Sequence, residues 1–161
     1  MNEGLLTVKF LYRKIEPAML EPIAALELRC FADPWSLSQI GQELESDLCV
    51  GRVMVDPCSS FLVGYALGRV VADEMEILRL AVHPTVRRKG AGRSLLTSLL
   101  TDGAVRGARA AYLEVSGANK PAIALYYSIG FGMQGIRKGY YDEGKSDALV
   151  MALPLSGSGE G

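Results

Sequence analysis

"HPTVRRKGAGRSLL", residues 83–96, sets a cluster of cations and two glycines between a run that reads as a strand and a run that reads as a helix. On the near side, EMEILRLAVHP (74–84) alternates, with Ile77, Arg79, Ala81 and His83 on one face and Leu78, Leu80 and Val82 on the other, until Pro84 ends it. On the far side, Leu95, Leu96, Leu99 and Leu100 recur at helical spacing as far as Gly103 and Gly107. A strand, a short turn and a helix start in that order aim several backbone N–H groups at one spot, which favours an anion. Arg87, Arg88 and Lys89 add charge there, and Gly90 and Gly92 lack the Cβ that would keep an oxygen-rich group off the main chain. A phosphate is the natural guest.

Two phosphate signatures fail when spelled out. A P-loop needs a glycine five positions before Gly92, where Arg87 stands, and a dinucleotide fingerprint needs its third glycine where Leu95 stands. What remains is R-x-x-G-x-G over residues 87–92.

Outward from the turn, the chain reads as a mixed α/β sheet. Residues 5–12, LLTVKFLY, suggest a first strand, and Pro17 opens a helix striped by Met19, Ile23, Leu26 and Cys30. Ser36 followed by Gln39 is a capping box for a second helix carrying Leu37, Ile40 and Leu44. LCVGRVMVD and SFLVGYALGRVV, with PCSS between them, suggest an antiparallel pair. After the turn helix come the strand AAYLEVS, a helix started by Asn119 and Pro121, and two closing strands, GFGMQGIRKGYY and SDALVMALPL, around the loop DEGK. Residues 1–155 are expected to form one domain, and SGSGEG at 156–161 a disordered tail.

Composition narrows the function. The chain has 161 residues, 49% of them hydrophobic and 22% charged, with a formal net charge of −1 that gives no global reason to expect nucleic acid. His83 is the sole histidine, and Cys30, Cys49 and Cys58 have no paired spacing. A metal site and a nucleophile–histidine triad therefore lack parts, and reduced thiols in a cytoplasmic protein are the expectation. No apolar run approaches the ~20 residues a membrane span needs.

The R-x-x-G-x-G turn, with its flanking strand and helix, resembles the acyl-coenzyme-A pyrophosphate loop of the GNAT acetyltransferases. LEVSGANKPAIALYYSIGF, residues 113–131, resembles the second half of the same fold. FADPWS, LAVHP, RKGYY and DALVMALPL are similar to the branch of that superfamily that acetylates the N-terminal alanine of a ribosomal protein, from about Phe31 to Leu155. The chain departs from that branch at Ser116, Ala118 and Ser146, where Arg, Ser and Glu are usual.

The resemblance implies a mostly antiparallel sheet of six to seven strands with a central splayed parallel pair, residues 77–83 and 110–116, and about four helices. It implies acetyl-CoA as co-substrate, no metal, and a protein N-terminus as partner, with a ribosomal protein as the leading substrate and a monomer or weak dimer as the assembly. Main chain of Leu80, Ala81 and Val82 would pair with the pantetheine arm. The pyrophosphate would lie on Arg87, Arg88, Lys89, Gly90, Ala91, Gly92 and Arg93, with Asn119 near the coenzyme arm. Glu114 is then the general base and Tyr126 the general acid, while Glu76 stands in reserve as a base. Trp35, Tyr140 and Tyr141 are candidate walls of the acceptor cleft. An acetyltransferase of small amines and a non-catalytic acyl-CoA-binding module are the competing readings.

Overall fold

The computed structural model describes residues 10–87 and 90–155. Seven strands form one sheet: β1 (Leu11–Arg13), β2 (Cys49–Val55), β3 (Leu62–Val71), β4 (Glu74–Val82), β5 (Ala110–Ser116), β6 (Gly132–Tyr141) and β7 (Ser146–Pro154), in the spatial order β1-β2-β3-β4-β5-β7-β6. Four helices accompany them: α1 (Leu20–Cys30), α2 (Leu37–Glu45), α3 (Ala91–Val105) and α4 (Lys120–Ile129). All neighbouring strands are antiparallel except β4 and β5. The expected fold class is what the chain adopts. The expected first strand is only partly visible, because residues 1–9 lie outside the described residues, as does the proposed tail at 156–161.

Each face of the sheet has its own core. Leu95, Leu96, Leu99 and Leu100 of α3, with Tyr126 of α4 and Phe131, pack on Met54, Ala66, Met75, Ile77, Leu113 and Val115. Ile23 and Leu26 of α1 and Ile40 of α2 pack on Val53, Tyr65, Leu67 and Ala81. The predicted capping box holds α2 in place: Gln39 N–H donates to Ser36 Oγ at 3.1 Å and Ser36 N–H to Gln39 Oε1 at 2.8 Å. Of the predicted α2 stripe, Ile40 is buried but Leu37, the first residue of the helix, is 47% exposed.

The expected alternation along β4 is corrected by a bulge. Leu67 pairs with Arg79 and Gly68 with Ile77, so Leu78 is an extra residue with no partner on β3. A bulge of one residue swaps the faces beyond it. Ile77 therefore shares the α3 core with Leu80 and Val82, while Leu78 packs with Ala81 on the α1 side.

Candidate active site

The parallel ladder between β4 and β5 is three pairs long: Glu74–Ala110, Met75–Ala111 and Glu76–Tyr112. Beyond Glu76 both strands continue, β4 to Val82 and β5 to Ser116, each held on its outer side by β3 or β7. They part as a V, and the expected splayed pair is in place. His83 N–H donates to Val63 carbonyl at 2.7 Å, so the Val82–Gly64 pair is one whose own N–H and C=O point away from β3. By the same alternation Leu80 also turns its main chain into the gap, whereas Ala81 turns back to Tyr65. Of the three residues expected to meet the pantetheine arm, Leu80 and Val82 face the opening.

At the open end of the V, a 3-10 turn over Pro84–Val86 leads to Gly90, which caps α3 with φ 77°. That left-handed conformation suits glycine and swings the chain straight into the helix. Ser36 caps α2 and Asn119 caps α4, but no side chain among the described residues caps α3, so its first N–H groups stay available to an anion. A Cβ placed on Gly92 would lie 3.4 Å from Leu125 and 3.8 Å from Val82, so the helix start, α4 and the end of β4 converge there. Arg87 folds back, its Nε donating to Val82 carbonyl at 3.0 Å, which leaves the Val82 N–H as the free donor of that residue. Arg93 is tied to Ser128 at 2.9 Å, so it offers its main chain rather than its side chain to the turn. Arg88 and Lys89 lie outside the described residues. His83 takes no position in the V: its Nδ1 accepts from Thr85 N–H at 3.2 Å, and its ring meets Phe61 edge-on.

Glu114 projects from β5 on the face opposite its neighbours Leu113 and Val115, which enter the α3 core. It pairs with Arg137 of β6 at 3.2 Å, and that guanidinium lies 5.6 Å from the Tyr140 ring centroid. Tyr140 and Tyr141 meet edge to face at 5.0 Å. The Tyr141 phenol is pushed up by burial, then by the negative charge of Glu114, and drawn down by Arg79 and Arg137. Glu76, Tyr112 and Glu114 also line one cavity of about 220 Å³ at the root of the V, which places the reserve base beside the preferred one.

Tyr126 comes from the other face. Its ring packs against Phe131 at 5.8 Å, and its hydroxyl has no hydrogen-bond partner among the described residues. Desolvation pushes the phenol up to about 12. Asn119 spends its Oδ1 on Ala122 N–H at 3.3 Å, leaving its amide N–H groups as donors.

Sequence reasoning missed one cluster. Glu27 of α1 is fully buried and accepts from Trp35 N–H at 2.8 Å, from Tyr65 hydroxyl and from Arg79, whose Nε lies 3.1 Å away. Arg79 lies against Phe31, 3.8 Å from ring centroid to guanidinium carbon, and Trp35, at 5.0 Å. The signal was a lone carboxylate inside the Ile23–Leu26–Cys30 stripe and a lone guanidinium inside an apolar strand: burial of either requires the other.

A two-faced sheet opened at a parallel pair, with a glycine-started helix at the mouth, is the architecture of the acyl-CoA N-acyltransferase fold. Over residues 20–131 the chain matches the acetyltransferase (GNAT) family, and it belongs to that family. Within it, the chain is similar to the ribosomal protein bS18-alanine N-acetyltransferase of Salmonella typhimurium, 39% identical over 134 residues, which are 81% of this chain and 88% of that one. The crystal structure of the ribosomal-protein-S18-alanine N-acetyltransferase from Escherichia coli matches with TM-score 0.85 at 33% identity, covering 94% of this chain and 97% of that one. Arabidopsis thaliana NAA60 in complex with acetyl-CoA shares the fold, with TM-score 0.81 at 20% identity, over 92% of this chain and 100% of that one.

Proposed function

We propose that this chain transfers acetyl from acetyl-CoA to the α-amine of a protein N-terminus, with the N-terminal alanine of a ribosomal protein of the small subunit as the leading substrate. The observation that carries it is the V: two strands that pair over three residues and then part, turning the main chain of Leu80 and the N–H of Val82 into the gap, with Glu114 on one lip and Val82 on the other. Unpaired backbone in a sheet calls for a guest with amides of its own, and a pantetheine arm has two. The similarity to the ribosomal protein bS18-alanine N-acetyltransferase of Salmonella typhimurium supports the acceptor class.

In this reading the pyrophosphate rests on the main chain of Gly90–Arg93, and Leu80 and Val82 pair with the arm. The acceptor amine attacks the thioester carbonyl carbon from the Glu114 face, and Glu114 takes its proton. The Val82 N–H holds the developing oxyanion. The carbon–sulfur bond breaks as the tetrahedral centre collapses, and Tyr126, reaching the gap from the α4 side, donates to the departing thiolate. Both faces of the sheet are used because the V joins them.

A single carboxylate suits an α-amine. Near ~8, an α-amine is about one-tenth neutral at pH 7, whereas a lysine near ~10.4 lies roughly 3 kcal/mol further from reactivity. The test is mass spectrometry of a panel of N-terminal peptides and free polyamines incubated with the protein and acetyl-CoA. A 42-dalton gain on the α-amine of alanine-initiated peptides is expected. Preference for the free amines would favour the small-amine reading, and binding of acetyl-CoA with no product across the panel would favour a non-catalytic module.

A further inference from the structure

We infer that Arg79 is the residue that recognises the first peptide carbonyl of the acceptor, and so distinguishes a protein N-terminus from a simple amine; this rests on the N-terminal reading above. Arg79 lies on β4 two residues past the bulge partner Ile77, on the lip of the V that faces Glu114. Glu27 engages its Nε and Nη2, which is one edge of the guanidinium. Nη1, on the remaining edge, makes no hydrogen bond within normal distance among the described residues, and the side chain retains 16% exposure.

Three features make that edge a recognition element rather than a structural remainder. The Phe31 and Trp35 rings both cover the guanidinium, which favours in-plane N–H donation as its remaining mode of contact. The fully buried carboxylate of Glu27 neutralises the charge, so an incoming α-ammonium meets a polar donor and not a net cation. Across the cleft stand Glu114, Tyr140 and Tyr141, and the Tyr141 phenol responds to Arg79 as well as to Glu114. An amine delivered to Glu114 places its adjoining carbonyl carbon two bonds further along. On the β4 side of that space the remaining edge of Arg79 is a rigid donor.

The experiment compares an alanine-initiated peptide with its (E)-alkene isostere, in which the first amide is replaced by a carbon–carbon double bond. Wild type is expected to favour the peptide by at least tenfold in kcat/KM. In Arg79→Met that ratio falls to within about twofold, mainly through KM for the peptide, while the Kd for acetyl-CoA is unchanged. Since Arg79→Met leaves Glu27 buried without its cation, Arg79→Lys provides the second variant: it keeps the charge beside Glu27 but lacks the outer fork, and the ratio should fall in it too. A ratio retained in Arg79→Lys, or in folded Arg79→Met, overturns the role of Arg79 and leaves the N-terminal activity standing. Wild-type protein that acetylates neither compound refutes the N-terminal reading itself, and the role falls with it.

Discussion

Replacing Tyr126 with Phe separates chemistry from packing at one atom. The ring is 9% exposed and packs on Phe131, contacts that Phe reproduces, and the hydroxyl it removes has no partner among the described residues. Deleting a desolvated, unpaired hydroxyl should leave stability unchanged or raise it by up to about 1 kcal/mol. Catalysis should suffer. With the phenol pushed up to about 12, and an ordinary thiol near ~8.5, full proton transfer from Tyr126 to the departing sulfur is uphill by roughly 5 kcal/mol. The hydroxyl therefore acts by donating a hydrogen bond to the thiolate as charge develops. A hydrogen bond to a charged group contributes about 1.5–3 kcal/mol, so kcat should fall by roughly 10- to 150-fold. The assay is release of coenzyme-A thiol with an N-terminal peptide at saturating acetyl-CoA, beside a thermal melt of both proteins. A kcat within twofold of wild type refutes the argument. So does a matching loss of melting temperature, because the role would then be structural.

Glu114→Gln keeps the shape of the side chain and removes the base, so turnover should drop by about 100-fold or more with acetyl-CoA affinity retained in calorimetry. If it does not, the Glu76→Gln variant, altered in the same cavity, should show the loss instead. Gly103→Ala drives a methyl into the fully buried Met75, and chemical denaturation should show about 1–3 kcal/mol of destabilisation; an unchanged midpoint would mean that Met75 repacks freely. Folding raises the Tyr126 phenol from 10.0 to about 12, so the folded state holds that proton more tightly than the unfolded chain does. Below pH 10 the phenol is protonated in both states and stability does not depend on it; between pH 10 and 12 the unfolded chain ionises first, so stability falls by about 3 kcal/mol in all. Denaturation of Tyr126→Phe at alkaline pH should show a shallower decline than wild type.

Much of the scaffold was legible because its signals are local. The Ser36–Gln39 box, the Asn119 cap and the glycine turn each work within a few residues, so short stretches of chain declare them. Partnership between strands is not local. β4 and β5 both read as ordinary strands, and nothing within either says that they pair over three residues and then separate. The bulge at Leu78 was invisible for a related reason: alternation predicts faces only while the register holds, and here the register slips opposite Gly68. Glu27 and Arg79 stand 52 positions apart, so their mutual need was readable only as two separate anomalies.

The same two irregularities explain why the site lies where it does. Antiparallel partners on the outer sides fix β4 against β3 and β5 against β7 along their lengths, so the sheet consists of two rigid halves joined by the three parallel pairs at Glu74–Glu76. Parallel pairing is somewhat weaker per residue, so this seam is the easiest place for the halves to diverge. The bulge falls directly beyond it, and a bulge adds local twist, which turns β4 away from β5 as soon as the last pair is made. By swapping faces it also sends Arg79 toward α1 and Glu27 while Leu80 and Val82 keep their side chains in the α3 core and their main chain in the gap. A register that ran straight through Leu78 would carry Arg79 to the apolar α3 face, where no carboxylate awaits it. The opening and the buried Glu27–Arg79 pair are thus two consequences of one inserted residue.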